Sequence, residues 1–402
     1  MGKLILKKIL LFLSKQYTSI GGQAIIEGVM MRSPNAFVVA VRKPDGSIRL
    51  RKDQWYGLSK KFSFFKKPFL RGVLTLVESM ANGIVSLNYS ANVAMKEEMR
   101  EKALKDGKSE KEFEADQKKK ESVNLSTYFT IATSFVFAIL LFVFLPHALT
   151  AWLGGHFGQG WSLDGIEFHA VDGMIKAMIF ILYIFLIGLL PDIRRVFQYH
   201  GAEHKSISTF EEGEDLTIEN ARKFTTLHPR CGTTFIFFLL FISIILFALI
   251  FTIIPLTELI PASLLGDTGS RLFHFTLFGK TFAGIEQKKI VTHLLALVFK
   301  VMLVFPIAGI SFEILKFAGK YRKNIFCKML SFPGLMLQKL TTKEPDDEQL
   351  EVALASLKTV LLLEEKFNLK EATNKVLTLE EVDIEKLENI ENTTSSLNDF
   401  LE

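Results

Sequence analysis

The sequence predicts a mainly α-helical membrane protein with four transmembrane helices, a small cytoplasmic α+β region at the N-terminus and a cytoplasmic C-terminal helix. Of its 402 residues, 49% are hydrophobic, 37 are Phe, and the mean hydropathy is +0.27. Four apolar runs approach or exceed the roughly 20 helical residues that a bilayer core requires. The charged residues lie mostly outside these runs. This composition excludes disordered and collagen-like chains and disfavours a purely soluble enzyme.

The charge is distributed unevenly along the chain. Residues 1–127 carry 24 Lys and Arg against 13 Asp and Glu, a net charge of +11. Residues 341–402 carry 6 against 16, a net charge of −10. The 2 cysteines exclude a disulfide scaffold and favour a reducing compartment. A basic start, an apolar middle and an acidic tail therefore predict several domains.

The first segment, 1–20, is predicted to be an amphipathic helix in the membrane interface. Its apolar run is too short for a span, and no small-residue cleavage site of a signal peptide follows it. Lysines alternate with Leu, Ile and Phe, which suits a helix lying on a bilayer. A frayed amphipathic terminus is the alternative.

Residues 21–127 are predicted to form a cytoplasmic β-meander followed by membrane-surface helices and a charged linker. Alternating runs at 36–42 and 47–51 flank Pro44-Asp45-Gly46, a typical turn sequence. Residues 71–95 show helical apolar spacing but are too polar for a span. For Glu27 a position in a plain turn between strands is favoured, and a buried ion pair with Arg32 or Arg71 is the alternative.

The segment 128–330 is predicted to be a four-helix transmembrane bundle. Its spans are placed at 128–145, 174–190, 233–254 and 290–310. The loop 154–173 contains no Lys or Arg, whereas the loop 191–232 contains six. Because Lys and Arg favour the cytoplasmic side, both termini and the loop 191–232 are predicted to be cytoplasmic. The protein would thus be a multi-pass protein of the bacterial cytoplasmic membrane.

Lys300 falls near the middle of the fourth predicted span. An intramembrane cation is costly and usually faces a cavity or a partner, although its long stem also allows it to snorkel toward the interface. A functional or ion-paired role and a snorkelling role both remain open. His147, His156 and His169 are expected to lie outside the membrane.

The loop 191–232 carries the most specific chemical signal in the chain. His200 and His204 are four residues apart, so on a helix they project from one face and can reach one metal ion. His228 and Cys231 are three apart at the start of the third span and are candidate further ligands. Nitrogen and thiolate ligands favour Zn²⁺ over Mg²⁺ or Ca²⁺. Zn²⁺ is therefore the predicted cofactor.

Glu203 is the candidate catalytic residue. His200-Gly201-Ala202-Glu203-His204 matches the inverted zincin motif, in which the glutamate acts as a base beside the metal. The His-Pro-Arg-Cys element at 228–231 departs from that motif. Four protein ligands would make the site closed and structural, whereas three would leave a position for hydrolysis. The alternative is that these polar residues cap helix ends at the membrane surface.

The C-terminal part is predicted to contain a cytoplasmic helix within 331–366 and an acidic, disordered tail at 367–402. The helix is expected to start near Pro345, because Asp346, Asp347 and Glu348 suit a first turn. The tail is acidic and poor in apolar residues.

Several longer motifs resemble one known family. They read GGQAIIEGVMMRSP at 21–34, RGVLTLVES at 71–79, YHGAEHK at 199–205, ENARKF at 219–224, HPRCGT at 228–233 and PGLMLQKLTTKEPDD at 333–347. Together they are similar to the bacterial YqhQ-like proteins, a family with a domain of unknown function. The resemblance spans about 21–360 and implies a polytopic membrane protein. Members of this family are described as predicted metal-dependent enzymes.

Three functions follow as hypotheses. The first is a metal-dependent hydrolase, such as a peptidase, with a cytoplasm-facing site. The second is a non-enzymatic membrane scaffold or membrane-protein assembly factor with a structural metal. The third, less favoured because no internal repeat relates the spans, is a transporter that uses Lys300. The expected partners are the lipid bilayer and other membrane proteins, and no nucleic acid is expected.

Overall fold

The structure is a computed structural model. It describes residues 20–54, 62, 64, 67–106, 109, 125–157, 161–254, 272–277, 280–321, 324–373, 381–387 and 390. The expected interfacial helix at 1–20, except for Ile20, and most of the tail after residue 373 lie outside the described residues.

An antiparallel meander follows directly after Ile20. Its strands are β1 (Gly21–Ile25), β2 (Gly28–Arg32), β3 (Ala36–Arg42) and β4 (Ile48–Gln54). Each strand pairs with the next, with Gly22 opposite Met31 and Ala40 opposite both Val29 and Leu50. The predicted turn joins β3 to β4, and Gly46 has a φ of 86° there, which glycine adopts without strain. The predicted meander is confirmed.

Two long helices cover the two faces of this sheet. They are α1 (Leu70–Lys105) and a helix near the C-terminus, Asp347–Thr373. Alternate strand residues point to opposite faces, so Val38 and Leu50 pack toward Asp347–Thr373 while Val39 and Val41 pack toward Val93 of α1. The helix α1 runs ten residues beyond the predicted end, into the segment expected to be a charged linker.

The sheet has a fifth strand from the C-terminal tail. Residues Glu381–Ile384 form this strand, β7, which pairs antiparallel with β4. Two other strands, β5 (Leu272–Leu277) and β6 (Lys280–Glu286), form a separate hairpin that the sequence did not indicate. Composition predicted disorder for all of 367–402, but Ile384 lies opposite Ile48 and is buried in the core. The edge of β4 supplies the backbone partners that this acidic segment lacks by itself.

Among the described residues, four helices are long and apolar enough to cross a membrane. These spans are Phe129–His156, Ile166–Ile187, Gly232–Ile253 and Val291–Lys320. Many of their large apolar side chains are exposed, for example Phe137, Met178, Leu249 and Met302, which is consistent with contact with lipid. Four spans were predicted, and four are found.

The bounds of the spans differ from the prediction in three places. The first span continues past residue 145, because a π-helical turn, Leu140–Phe144, connects α2 (Leu125–Ile139) to α3 (Leu145–His156) ahead of Pro146. The second span, α4 (Ile166–Ile187), begins eight residues earlier than predicted and includes Asp172. The fourth continues through Pro306 to Lys320.

The remaining helices include the third and fourth spans and the helices that connect or follow the spans. They are α5 (Pro191–Glu212), α6 (Ile218–Arg222), α7 (Gly232–Ile253), α8 (Gln287–Lys320), α9 (Ile325–Thr341) and α10 (Asp347–Thr373). The helix predicted to start near Pro345 within 331–366 corresponds to α10, whereas α9 was not predicted. The helix α10 begins close to the predicted position, where Asp346 and Gln349 exchange side-chain to backbone hydrogen bonds of 2.8 and 3.0 Å.

Candidate metal centre

The helix α5 places two histidines on the same side. It begins at Pro191, where the missing N–H would have no partner within the helix, and ends at Glu212, followed by the cap residue Gly213, whose φ is 83°. Between these ends, His200 and His204 are one turn apart with ring centroids separated by 4.5 Å. The predicted helical spacing of the two imidazoles is therefore confirmed.

Both imidazoles are oriented by backbone carbonyl groups. His200 Nδ1 lies 2.8 Å from the carbonyl oxygen of Thr341, and His204 Nδ1 lies 2.5 Å from that of Thr226. A carbonyl oxygen only accepts, so each Nδ1 carries a hydrogen and each neutral ring keeps a lone pair on Nε2. This arrangement is the one that fixes the tautomer of metal-binding histidines.

Cys231 brings a thiol to the two Nε2 atoms. It is the N-cap residue of α7, where its Sγ accepts a hydrogen bond of 3.3 Å from the Thr233 N–H. Its Sγ lies 3.2 Å from His200 Nε2. One donor atom from each of His200, His204 and Cys231 lies within 4.8 Å of the others. These three residues form a group that could hold a metal ion.

The nitrogen of His204 that faces the group is buried and makes no hydrogen bond to any residue in the described part of the chain. Only 1% of the His204 residue is exposed. Burial lowers the pKa of His204, an effect that the neighbouring Cys231 thiol opposes. A buried neutral imidazole with an unused lone pair is what a metal ligand requires.

Glu203 lies beside the group without being one of its three members. Its Oε2 is 3.6 Å from His204 Nε2 and 4.0 Å from His200 Nε2. Burial raises the pKa of Glu203, while the nearby imidazoles of His200 and His228 and a hydrogen bond from the Gly22 backbone act in the opposite direction. A carboxyl group that is buried in this way is typical of a general base or acid.

Gly22 of β1 makes this position of Glu203 sterically feasible. A Cβ atom on Gly22 would lie 2.6 Å from both Cγ and Oε1 of Glu203, closer than such atoms approach. In the sequence, Gly21 and Gly22 stand out only as the first residues of the motif GGQAIIEGVMMRSP. Nothing in their local pattern could indicate a contact with a helix that follows about 180 residues later.

His228 lies next to the three-residue group. Its ring is tilted against that of His204 with centroids 5.6 Å apart, and its Nε2 is 3.5 Å from Oε1 of Glu211. Arg230 forms an ion pair with the same Glu211 oxygen. The structure therefore brings together three of the four predicted ligands and directs the fourth toward a carboxylate.

Gln338 of α9 holds the segment that carries His228 and Cys231. Its side chain accepts from the His228 N–H at 2.8 Å and donates to the His228 carbonyl oxygen at 2.7 Å. It also donates to Thr234 at 2.8 Å. The sequence could not identify Gln338 as a supporting residue, because its partners lie more than 100 positions away.

A second set of contacts docks the meander against α5. Glu27, in the turn between β1 and β2, forms a two-pronged ion pair of 2.5 Å with Arg195 and lies 3.3 Å from the Tyr199 hydroxyl. The favoured position of Glu27 in a turn between strands is confirmed, whereas its ion-pair partner is Arg195 and neither Arg32 nor Arg71. Arg71 instead pairs with Glu313. Glu27 has a φ of 50°, an uncommon conformation that its ion pair with Arg195 helps to retain.

Comparisons with known proteins agree with the resemblance seen in the motifs. Residues 67–363 match the family model described as protein of unknown function, DUF1385. The chain is 34% identical over 353 residues to the uncharacterized protein YqhQ of Bacillus subtilis (strain 168), which covers 86% of this chain and 92% of that protein. No solved structure matches the chain significantly.

Proposed function

This chain belongs to the DUF1385 family of proteins of unknown function, and from that premise we propose that it is a metal-dependent hydrolase of the bacterial cytoplasmic membrane. The proposed ligands are His200, His204 and Cys231, and the proposed general base is Glu203. The observation that carries this proposal is the pair of Nδ1 to carbonyl hydrogen bonds, which leave a lone pair on each Nε2, close to the Cys231 thiol and the Glu203 carboxylate.

The distribution of basic residues supports a cytoplasmic position for this centre. The segment between the second and third spans carries Arg194, Arg195, Lys205, Arg222, Lys223 and Arg230. The segment between the first two spans, 157–165, carries neither Lys nor Arg. Because Lys and Arg concentrate on the cytoplasmic side, both termini and the metal centre are assigned to the cytoplasm.

The chemistry of the donor set supports Zn²⁺. Two imidazole nitrogens and one thiol are ligands of borderline softness, whereas Mg²⁺ and Ca²⁺ prefer oxygen. Three protein ligands with one open position are typical of catalytic zinc sites, and four are typical of structural ones. The separation of His228 from the group favours the catalytic type.

The residues around the donors have defined tasks in a hydrolytic reaction. A bound Zn²⁺ would supply Lewis-acid chemistry. Glu203, whose carboxylate lies next to both Nε2 atoms, would take a proton from the attacking water and later give it to the leaving group. The Thr226 and Thr341 carbonyl groups keep the imidazoles in one tautomer. His200, whose side chain is 18% exposed, marks the open side of the centre.

Elemental analysis and a cleavage assay on the full-length, detergent-purified protein test this proposal. We expect about one zinc ion per chain and zinc-dependent cleavage of fluorescently labelled casein. Glu203→Gln should retain the metal and lose cleavage, whereas His204→Ala should lose both. Wild-type protein without stoichiometric metal would refute the metal site. Zinc-loaded protein that does not cleave casein, or full cleavage by Glu203→Gln, would refute the peptidase.

A second candidate function is a membrane scaffold or assembly factor with a structural metal. It is supported by the contributions of three helices to the centre, since α5 supplies the histidines, α7 the cysteine and α9 the carbonyl of Thr341. A metal there would tie these helices together. In that case Cys231→Ala would lower the melting temperature, while Glu203→Gln would leave every measured property unchanged.

A further inference from the structure

The membrane-spanning bundle contains a cluster of ionisable side chains that the proposed hydrolase does not use. The cluster is defined by His147 of the first span, Asp172 of the second, and His293 and Lys300 of the fourth. His147 is 3% exposed, and Asp172 and Lys300 are each 1% exposed. The prediction that His147 and His169 lie outside the membrane was wrong, since both are buried within candidate spans.

A continuous chain of hydrogen bonds connects the four side chains. Lys300 Nζ lies 2.9 Å from Asp172 Oδ2 and 3.1 Å from His147 Nδ1. His147 Nε2 in turn lies 2.8 Å from His293 Nδ1. The ammonium group also faces the rings of Phe168 and Phe247, at 5.6 and 5.7 Å from their centroids.

When Lys300 is charged, the donors and acceptors in this chain of hydrogen bonds can be arranged in only one direction. An ammonium group only donates, so His147 Nδ1 accepts from Lys300 and carries no hydrogen. A neutral His147 therefore has its hydrogen on Nε2 and donates it to Nδ1 of His293. His293, if neutral, carries its hydrogen on Nε2, and its side chain is only partly buried. The four groups thus form a donor-to-acceptor series from the buried ion pair to a more accessible imidazole.

The cluster and the metal centre lie toward opposite ends of the bundle. Asp172 is six residues from the start of its span and Lys300 is nine from the start of its own, which places them about 9 to 14 Å inside one face. The opposite end of the second span, Ile187, is about 22 Å farther along the helix and leads into α5. The cluster is therefore a separate site.

A purely structural role does not account well for this cluster. Replacing a buried ion pair with apolar side chains of similar size is often neutral or stabilising, and intramembrane charges are rare and usually functional. Asp172 Oδ1 and His169 Nδ1 are also buried without a hydrogen bond to any residue that the structure describes. A site with unused polar atoms is suited to exchange with a small polar species.

We propose that His293, His147, Lys300 and Asp172 form a proton-exchange site that takes up and releases one proton through His293. In release, Lys300 gives a proton to His147 Nδ1, His147 gives its Nε2 proton to His293 Nδ1, and His293 gives its Nε2 proton to water. Lys300 becomes neutral, one hydronium ion forms, and each imidazole ends as the other neutral tautomer. Uptake is the reverse series.

Among the residues that the structure describes, the ionisable groups that face this hydrogen-bond chain belong to three spans. The first contributes His147, and the fourth contributes His293 and Lys300. The second contributes Asp172, His169 and Lys176, whose Nζ lies 3.5 Å from Asp172 Oδ2. The third span, Gly232–Ile253, contributes Phe247 and Phe251 and contains no ionisable residue.

Solid-state NMR of ¹⁵N-histidine-labelled, full-length protein in phospholipid vesicles tests the proposal. His147 and His293 are assigned through loss of their signals in His147→Gln and His293→Gln. At pH 7 we expect neutral His147 and His293 with their hydrogens on Nε2, and on raising the pH to 10 a single shared transition in which both hydrogens move to Nδ1. His293→Gln should abolish the transition of His147. A hydrogen on Nδ1 of His147 at pH 7, or no shared transition, would overturn the proposal.

Two further variants separate proton exchange from a structural effect. His156→Gln removes an imidazole at the end of the same span outside the chain, and it should leave the transition unchanged. Lys300→Gln/Asp172→Asn removes both charges together, so no unpaired charge remains, and should abolish the transition, because the proton that Lys300 releases is gone. A transition that is insensitive to this double substitution, or equally altered by His156→Gln, contradicts the proposal.

Discussion

The imidazole of His200 in α5 lies in contact with the thiol of Cys231 at the N-terminus of α7, with Nε2 3.2 Å from Sγ. Because Nδ1 of His200 donates to the Thr341 carbonyl, Nε2 accepts and the thiol donates. A metal ion would replace that single thiol proton, so binding should release a proton and depend on pH.

The two cysteines allow a matched test of this arrangement. Cys231 and Cys327 are both buried, but only Cys231 belongs to the candidate group. Cys231→Ser should weaken zinc binding by at least about 100-fold, because even supporting residues of metal sites cost 10 to 100-fold. Competition with a chromogenic chelator measures the affinity.

Cys327→Ser is the control, since its thiol lies in α9 outside the group. It should bind zinc with the affinity of the wild-type protein. Equal affinities of the two serine variants would show that the Cys231 thiol is not a ligand.

Gly22 offers a test of the position of Glu203 that leaves the glutamate itself intact. In Gly22→Ala, the new methyl group would lie 2.6 Å from Glu203 Cγ and Oε1. Since Glu203 is buried, we expect its carboxylate to be displaced and the protein to be destabilised by about 1 to 3 kcal/mol. Zinc content should be retained, whereas casein cleavage should be lost.

The adjacent Gly21→Ala provides the control, because a Cβ there meets nothing within 4 Å. It should melt at the wild-type temperature and keep its activity. Indistinguishable stability and activity of the two alanine variants would argue against a close contact between β1 and Glu203.

The parts of this molecule that depend on local pattern could be predicted from the sequence. The spans follow from apolar runs, the β3–β4 turn from Pro44-Asp45-Gly46, and the facing imidazoles from a spacing of four residues. The choice between Cys231 and His228 could not be predicted in the same way. Both residues lie in or beside an irregular segment, and their directions are set by Gln338 of a distant helix.

The early start of the second span was missed for a related reason. Hydropathy treats Asp172 as a charged residue, and this argues against placing the segment around Asp172 within a membrane span. The structure pairs it with Lys300 at 2.9 Å, and a paired charge can be buried at much lower cost than an isolated one. A pattern read along one helix does not contain the partner on another.

Glu364 of α10 fastens the turn between β2 and β3. Its Oε2 accepts from the Ser33 hydroxyl at 2.6 Å and from the Asn35 N–H at 2.9 Å, and its Oε1 accepts from the Asn35 side chain at 2.7 Å. Glu364→Ala leaves these donors without their acceptor and should lower the free energy of unfolding by about 3 kcal/mol. Thermal unfolding followed by intrinsic fluorescence measures the loss.

Glu365→Ala is the neighbouring control, since Glu365 is exposed on the same helix. It should change the free energy of unfolding by no more than about 0.5 kcal/mol. An equal effect of the two substitutions would mean that helix propensity, and not the bonds to Ser33 and Asn35, accounts for the loss.

Asp383 should make the attachment of β7 dependent on pH. The bidentate hydrogen bond from Arg49, at 2.8 and 2.9 Å, is the main cause that lowers the pKa of Asp383, and Lys43 adds to it. Its stabilisation is therefore complete above the unfolded pKa of about 3.9 and is lost as the pH falls through the lower folded value. Hydrogen exchange of Glu381–Ile384, corrected for intrinsic rates, should show this loss of protection in acid.

Asp383→Asn should remove most of that protection already at pH 7, because the amide carries no charge to pair with Arg49. Glu385→Gln, an exposed change just after the strand, should retain the protection and its acid dependence. The ion pair is half-exposed and each such pair is individually weak, so the effect should be confined to β7. Protection of β3 that falls together with β7 in Asp383→Asn would show instead that the whole sheet opens as one unit.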